Sequence, residues 1–206
     1  MNTPRVFGVA GDHPDPALIH QAAMILREGG LVAFPTETVY GLGVDAANAQ
    51  AIDRLNQVKG RPPEKPYSLH IYAVEQLRPF VSTMPSIAAR LIERFWPGPL
   101  TIVIPGRDGK LVGFRLPDHP IAQAFLKACD VPVAAPSANR SGLPPPTDAK
   151  EVVAALNGSI DCILDSGPTR MGRESTVVEI VNNHLEIRRE GAITNEAIFA
   201  VSGSSP

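Results

Sequence analysis

The sequence predicts an α/β fold: a twisted sheet that mixes parallel and antiparallel strands and is flanked by helices. Amphipathic helical stripes alternate with short β-rich runs along the chain, which is the pattern of this class. The last two β-rich runs, 175–181 and 184–189, flank Asn182-Asn183, a pair suited to a two-residue hairpin turn. A hairpin joins antiparallel strands, so the sheet is expected to be mixed rather than wholly parallel.

The individual helices are predicted from apolar stripes and end signals. Asp15-Pro16 places an N-cap and a proline at the first helical position, and Gly29-Gly30 ends the first helix. Further helices are predicted at 48–58, 85–95, 120–128 and 148–156. Strands are predicted at 31–34, 68–72, 100–104, 111–116, 131–135, 161–164, 175–181 and 184–189.

Composition limits both the organisation of the chain and its class. With 206 residues, 44% of them hydrophobic, the chain can bury a substantial core as a single domain over 1–206 or as a domain with a short tail. The final segment SGSSP, residues 202–206, is expected to be disordered. A net charge of -2 argues against binding nucleic acid by bulk electrostatics, so any anion site must be a local group of cations. Two distant cysteines and no apolar run of roughly 18 residues predict a cytoplasmic protein without a membrane span.

The stretch FPTETVYGLG, residues 34–43, is polar where a plain connector would suffice. Thr36, Glu37, Thr38 and Tyr40 stand between the end of a buried strand and two glycines. Loops that follow strands commonly carry functional side chains, because the sheet positions them rigidly. Glu37 has two open interpretations, the orientation of a cation or the capping of backbone.

The connector 58–71 brings three cations, Lys59, Arg61 and Lys65, onto a proline-stiffened loop. One interpretation is a solvated charged loop. The alternative is a grip on a polyphosphate, which the prolines favour because they reduce the entropy lost when the cations are held together. His70 follows in a β run and is interpreted equally as a site residue or a core residue.

The loop 135–147 carries Ser137 and Asn139 after a strand and Thr147 as the predicted N-cap of the next helix. By themselves, the serine and asparagine could simply satisfy turn backbone. No G-x-S-x-G elbow supports a nucleophilic serine. GPTRMGRES, 167–175, imitates a phosphate loop but lacks the required Lys-Ser/Thr and precedes a β run, so it is not interpreted as one.

Seven segments in order carry a resemblance that covers about 15–192: FPTETVYGLG, KGRPPEKP, HI, FRLPDHPIAQAF, PSANRSG, ESTVVEI and RREGAI. Together they resemble the YrdC-like family, the threonylcarbamoyl-AMP synthases of tRNA modification. Both signature elements of that family are present, K-x-R at 59–61 and S-x-N at 137–139, whereas YciO-like paralogues of the same fold lack them. Tyr67 stands where leucine is common, which is expected to alter packing near the cleft.

The resemblance implies a nucleotidyltransferase that condenses L-threonine, bicarbonate and ATP into threonylcarbamoyladenylate and pyrophosphate. Transfer machinery then passes the threonylcarbamoyl group to adenosine 37 of tRNA. The implied sheet is twisted and mixed, with a basic concave cleft. Magnesium is expected to be held by the ATP phosphates, because no carboxylate cluster nominates protein ligands.

The resemblance also implies roles for individual residues, with residues 36–40 forming one wall of a polar pocket. Lys59 and Arg61 would be the catalytic cations. The ATP-binding residues would be Arg61, Lys65, Leu111, Asn139, Thr147 and Arg189, and the threonine-binding residues would be Thr38, His70, Arg115, Ser137 and Ser175.

Two alternatives remain open at the level of the sequence. A double-stranded RNA or tRNA-binding module could use the same basic loops without chemistry, although aromatic residues are only 5% of the chain. A carbamoyl-transfer relative of the same fold could act on another acceptor.

Overall fold

The computed structural model describes residues 3–9, 14–62, 66–156 and 158–203. The helices are α1 Pro16–Arg27, α2 Ala49–Lys59, α3 Ser86–Phe95, α4 Pro120–Cys129, α5 Ala149–Leu156 and α6 Asn195–Ser202, with a 3-10 helix at Val74–Leu77. The strands are β1 Arg5–Gly8, β2 Val32–Phe34, β3 Gly41–Asp45, β4 Leu69–His70, β5 Leu100–Pro105, β6 Leu111–Arg115, β7 Val133–Ala134, β8 Cys162–Asp165, β9 Thr176–Val181 and β10 His184–Arg189.

The strands form one ten-stranded sheet in the order β1-β8-β2-β3-β7-β4-β6-β5-β9-β10. The sheet contains both parallel pairs, such as β1 with β8 and β4 with β6, and antiparallel pairs, such as β2 with β3 and β5 with β6. The predicted mixed sheet is therefore confirmed. None of the helices in the described ranges is long and apolar enough to cross a membrane.

The sheet separates two hydrophobic clusters, as the alternation of side chains along a strand requires. Along residues 31–34, Leu31 and Ala33 join one cluster, and Val32 and Phe34 join the other. Helices α1 and α4 contribute to the Phe34 cluster, and α2, α3, α5 and α6 contribute to the Leu31 cluster. Both faces of the sheet are thus covered by helices.

The helix ends follow the sequence signals closely, with one correction. Asp15 accepts a hydrogen bond from the backbone N–H of Ala17 at 2.8 Å, as the predicted N-cap of α1. At α5 the prediction of Thr147 as the N-cap is wrong. The Asp148 carboxylate accepts a hydrogen bond from the N–H of Glu151 at 2.8 Å, and the Glu151 carboxylate accepts one from the N–H of Thr147 at 2.6 Å. The aspartate is the better placed acceptor because the helix begins one residue later than predicted.

The hairpin between β9 and β10 is confirmed in detail. Asn182 and Asn183 have φ values of 52° and 57°, the left-handed conformation that a type I′ turn requires at both central residues. Val181 pairs with His184 across the turn. The tail prediction differs at Ser202, which is the buried last residue of α6, and residues 204–206 lie outside the described residues.

Residues 34–43 do not form a connector to a distant element, because Gly41–Asp45 is itself a strand. β3 folds back on β2 with Phe34 opposite Gly41 and Val32 opposite Gly43. A Cβ atom at Gly41 or Gly43 would lie 3.2 or 3.1 Å from the Phe34 ring. The two glycines therefore make room for this ring.

Candidate active site

Two adjoining cavities lie beside the strands that carry the signature residues. The smaller has a volume of about 190 Å³ and the larger about 410 Å³. Four residues line both cavities and therefore mark their junction: Arg61, Pro136, Ser137 and Glu174. Arg61 and Arg115, which are far apart in sequence, line the smaller cavity together.

Arg115 is presented to the smaller cavity by the register of two parallel strands. β4 and β6 place His70 directly beside Arg115. Nη2 of Arg115 donates to the Glu37 carboxylate at 3.0 Å and to the Thr38 hydroxyl at 2.6 Å. Thr38 in turn lies 2.9 Å from the Thr36 hydroxyl. The polar residues at 36–38 are buried, and they hold a guanidinium whose remaining nitrogens are available to a ligand.

His70 is neutral at physiological pH. Burial, reinforced by the charge of Arg115, lowers the pKa of its imidazole to about 3, despite a hydrogen bond with the backbone of Ser68. The ring also packs edge-on against Phe34 at 6.0 Å. His70 is thus both a core residue and a cavity residue, and its low basicity suits hydrogen bonding rather than proton abstraction.

Ser175 and Arg189 form the opposite side of the smaller cavity. The Ser175 hydroxyl lies 2.9 Å from the Thr101 hydroxyl. Arg189 donates Nε and Nη2 to the Ser175 carbonyl at 3.2 and 3.0 Å, and Nη1 to the Glu174 carboxylate at 2.8 Å. Each of these residues lines the smaller cavity, so strand β10 and the loop before β9 close it together.

Lys59 joins the two signature elements. Its ammonium donates to the backbone carbonyls of Ser137 at 2.5 Å and Asn139 at 2.6 Å. Burial, followed by the charge of Arg61, lowers its pKa from 10.5 to about 8. Lys59 therefore shapes the S-x-N loop while remaining mainly charged at neutral pH, and it lines the larger cavity.

Arg61 is fixed by the unusual tyrosine. Its guanidinium lies 4.6 Å from the centre of the Tyr67 ring, in cation–π geometry, and donates to the Pro66 carbonyl at 3.0 Å. The Tyr67 hydroxyl donates to Asn56 in α2 at 2.7 Å. Tyr67 thus orients Arg61 at the junction, a role that the sequence prediction of altered packing did not include.

The loop 166–175 is tied to the far side of the site at three points. The Tyr40 hydroxyl donates to the Gly167 carbonyl at 2.8 Å, and burial raises the pKa of this phenol to about 12. Met171 N–H donates to the Glu37 carbonyl at 2.9 Å. Thr169 N–H donates to the Thr147 carbonyl at 2.8 Å. These bonds fix the chain that leads into Glu174.

Unpartnered buried polar atoms concentrate at the cavities. Buried polar atoms are normally hydrogen-bonded, so exceptions point to ligand positions or to bound water. Within the described residues, four cavity-lining side chains have such an atom: Arg61 Nε, His70 Nδ1, Arg115 Nε and Asn139 Oδ1. Hydrogen-bond donors and an acceptor without protein partners therefore line the two cavities.

The structure brings together most of the residues predicted for the site. Thr38 is buried, bonds Arg115 and lines neither cavity. Thr147 and Leu111 also line neither cavity. Leu111 begins β6 at the end of the strand opposite Arg115. Lys65 lies outside the described residues. The predicted residues that line one or both cavities are Lys59, Arg61, His70, Arg115, Ser137, Asn139, Ser175 and Arg189.

Sequence reasoning missed Glu174 and Thr101. Glu174 lies in GPTRMGRES, a segment that was considered only as a possible phosphate loop. Thr101 lies within an apolar β run. The available signal was Glu174 directly before Ser175 in the ESTVVEI segment. No group of three or more His, Cys, Asp or Glu side chains that could hold a metal ion occurs among the residues that the structure describes.

Comparison with known proteins identifies the family. The model of the Sua5/YciO/YrdC domain, described as "Telomere recombination", matches residues 24–191. The chain belongs to the Sua5/YciO/YrdC family. It is 45% identical over 195 residues to the threonylcarbamoyl-AMP synthase of Bacillus subtilis, covering 90% of this chain and 56% of the relative. The chain thus spans little more than half of that relative.

Solved structures of the family share the fold. A crystal structure of Pyrococcus abyssi Sua5 complexed with L-threonine has a TM-score of 0.90 at 41% identity, covering 95% of this chain and 60% of that chain. Escherichia coli YciO has a TM-score of 0.85 at 26% identity, covering 95% of this chain and 99% of that chain. The predicted family resemblance and fold are therefore confirmed.

Proposed function

We propose that this chain is an L-threonylcarbamoyladenylate synthase, a nucleotidyltransferase that uses L-threonine, bicarbonate and ATP. The observation that carries the proposal is the shared cavity of Arg61 and Arg115, which adjoins the larger cavity of Lys59 and Asn139. Two anionic reactants can meet there beside several cations. The named Bacillus relative and the threonine complex of the Pyrococcus relative support the same reaction.

The sizes of the cavities support an assignment of each substrate to one cavity. Pockets for cofactor-sized ligands typically have about 300–1,000 Å³, which includes the larger cavity and excludes the smaller. The smaller cavity therefore suits the amino acid, and Arg115 offers Nε and Nη1 to its carboxylate. The larger cavity takes the nucleotide, with Asn139 Oδ1 as a free acceptor.

The reaction needs alignment and charge neutralisation. The threonine amine and bicarbonate form a carbamate with loss of water, and a carbamate oxygen then attacks the α-phosphorus of ATP and displaces pyrophosphate. Arg61 lies at the junction where the two anions meet, and Lys59 adds positive field from the larger cavity. Cys129 and Cys162 are buried, and burial raises the pKa of each thiol to about 12, so neither is a ready nucleophile.

Other partners follow from the proposed reaction. Magnesium would travel with ATP, whose phosphates supply its ligands, because the described residues offer no cluster to hold it. The product would pass to the machinery that modifies adenosine 37 of tRNA. Two free buried thiols suit a reducing compartment, so we place the protein in the cytoplasm.

Pyrophosphate release tests the function and its specificity. We expect release only when threonine, bicarbonate and ATP are present together. If the cavity hydrogen-bonds the threonine hydroxyl, serine is expected at about the per cent level, and valine is rejected by as much as ~10⁴. Equal turnover of serine and valine would contradict the assigned cavity. An RNA-binding module would instead bind tRNA with steep salt dependence and release no pyrophosphate.

A further inference from the structure

The charges that line the smaller cavity favour the carboxylate of an amino acid but not its ammonium group. Three guanidinium groups, those of Arg61, Arg115 and Arg189, line it. They attract the carboxylate of a zwitterion and repel its ammonium group. Among the described lining residues, Glu174 is the sole carboxylate. An ammonium group has only donors and needs acceptors, so this carboxylate is the natural partner for it.

Glu174 is placed where the amine must react. It lines both cavities, at the junction between the amino acid and the nucleotide. Its Oε1 accepts from Arg189 Nη1 at 2.8 Å, and the hydrogen bonds among the described residues leave its Oε2 unused. About a third of the side chain is exposed, at 34%, so Oε2 is accessible to a ligand.

The backbone of Glu174 is held rigidly. Its carbonyl accepts the N–H of Ala192 at 2.9 Å, and the hydroxyl of Thr176 accepts the N–H of Gly191 at 2.9 Å. A Cβ atom at Gly191 would overlap the carbonyl oxygen of Glu174 and the carbonyl group of Ser175. This close approach is possible only for glycine, and it fixes the acceptor before a ligand arrives.

We propose that Glu174 binds the amino group of the substrate amino acid and positions it at the junction of the two cavities. The inference rests on the proposed function and adds to it a residue for recognition of the amine. Arg115 takes one end of the zwitterion and Glu174 the other, so the amine points toward the bicarbonate and the α-phosphate. An amino acid that lacked the amine would lose this contact while keeping the contact with Arg115.

Isothermal titration in the absence of ATP, bicarbonate and magnesium tests the contact. Wild-type protein is titrated with L-threonine and with 2,3-dihydroxybutanoate, in which a hydroxyl replaces the amino group. A charge-assisted hydrogen bond supports a preference for threonine of roughly 10- to 100-fold. In Glu174→Gln this preference is expected to fall to about threefold or less, with little change for the analogue.

A matched control separates the amine contact from a general change of charge. Glu186 accepts from Arg188 at 2.7 Å on the same strand as Arg189 and lines neither cavity. Glu186→Gln removes the same charge from a similar ion pair and should retain the full preference for threonine.

Two results would overturn the inference. Glu174→Gln could keep the wild-type preference for threonine over the analogue. Alternatively, it could raise the magnesium concentration needed for pyrophosphate release without altering that preference, in which case Glu174 serves the metal. The titration contains no ATP, so its result does not depend on whether the wild-type protein releases pyrophosphate. Failure of this inference can therefore be distinguished from failure of the proposed function.

Discussion

Several residues in this site bond one another in addition to the ligand-binding roles that the sequence predicts. The sequence therefore predicts which residues belong to the site better than it predicts the contacts between them. Lys59 and Ser137 were predicted as separate ligand residues, yet the ammonium of one bonds the carbonyl of the other. The hydroxyl of Thr38, a predicted threonine-binding residue, accepts a hydrogen bond from Arg115 at 2.6 Å. Motif spacing indicates which residues meet, but their order from cavity to core depends on side-chain packing across strands.

Under the proposed function, Lys59 is expected to have opposite effects on nucleotide binding and on stability as pH rises. Burial, and then Arg61, lowers its pKa from 10.5 in the unfolded chain to about 8. The unfolded state therefore binds more protons between these values, so the contribution of Lys59 to stability rises with pH across that window. Under the proposed function, we expect phosphate binding to fall over the same window, because the folded state loses the charge.

Titration with a non-hydrolysable ATP analogue at pH 7 and at pH 9 checks the effect on binding. We expect weaker binding at pH 9 in the wild type. Lys59→Arg should flatten the change, because a guanidinium stays protonated. The same loss of affinity in Lys59→Arg would assign the titration to another group.

Tyr67 provides a second test at this scale, since its ring and its hydroxyl have separate partners. Tyr67→Leu removes the ring beneath Arg61, and a cation–π contact of about 0.5–1 kcal/mol corresponds to roughly two- to fivefold weaker nucleotide binding. Tyr67→Phe keeps the ring and loses only the bond to Asn56. Equal affinities for the Leu and Phe variants would show that the ring does not support Arg61.

At the scale of elements, the sequence predicts helices with a strong hydrophobic periodicity well, whereas it misses elements whose periodicity is weak. The five predicted helices are present within a few residues of their expected bounds. β3 was missed because GLGVD has two glycines, which disfavour strands unless a neighbour such as Phe34 needs the space. α6 was missed although Thr194 caps it and Gly203 ends it, because the small polar residues after it indicated a tail.

Gly191 lies where two elements approach, and the effect of a side chain there can be tested. Gly191→Ala forces the methyl group against the backbone of 174–175 and should cost about 1–3 kcal/mol of unfolding free energy. Threonine affinity should fall as well, because Glu174 and Ser175 must move. Urea unfolding and titration measure the two effects.

Gly8→Ala is the matched control, since a Cβ atom at Gly8 meets no atom within 4 Å. It should leave both the unfolding free energy and the affinity close to the wild type. A Gly191→Ala protein as stable as the Gly8→Ala protein would show that the chain relaxes freely at 191.

For the whole molecule, the site is part of what stabilises the fold. Arg115 and Glu37 form a buried ion pair, with Nη2 of the arginine 3.0 Å from the glutamate carboxylate. Removal of one partner from such a pair leaves an uncompensated buried charge, whereas removal of both can be nearly neutral. Arg115→Met is therefore expected to cost about 3–5 kcal/mol in urea unfolding.

Combining Arg115→Met with Glu37→Gln should recover most of that stability without recovering threonine binding. This separation of stability from affinity identifies Arg115 as a ligand group as well as a core residue. A double variant that is no more stable than Arg115→Met would indicate that Glu37 is not the charge left uncompensated.

The three ties on the loop 166–175 also bear on how substrates reach the cavities. This segment cannot swing aside as a flap without breaking its bonds to Tyr40, Glu37 and Thr147. In the proposed reaction, the substrates would therefore enter through the cavity mouths as they stand, and pyrophosphate would leave by the same route. Turnover would then be paced by chemistry or by departure of the products, and not by movement of this stretch of chain.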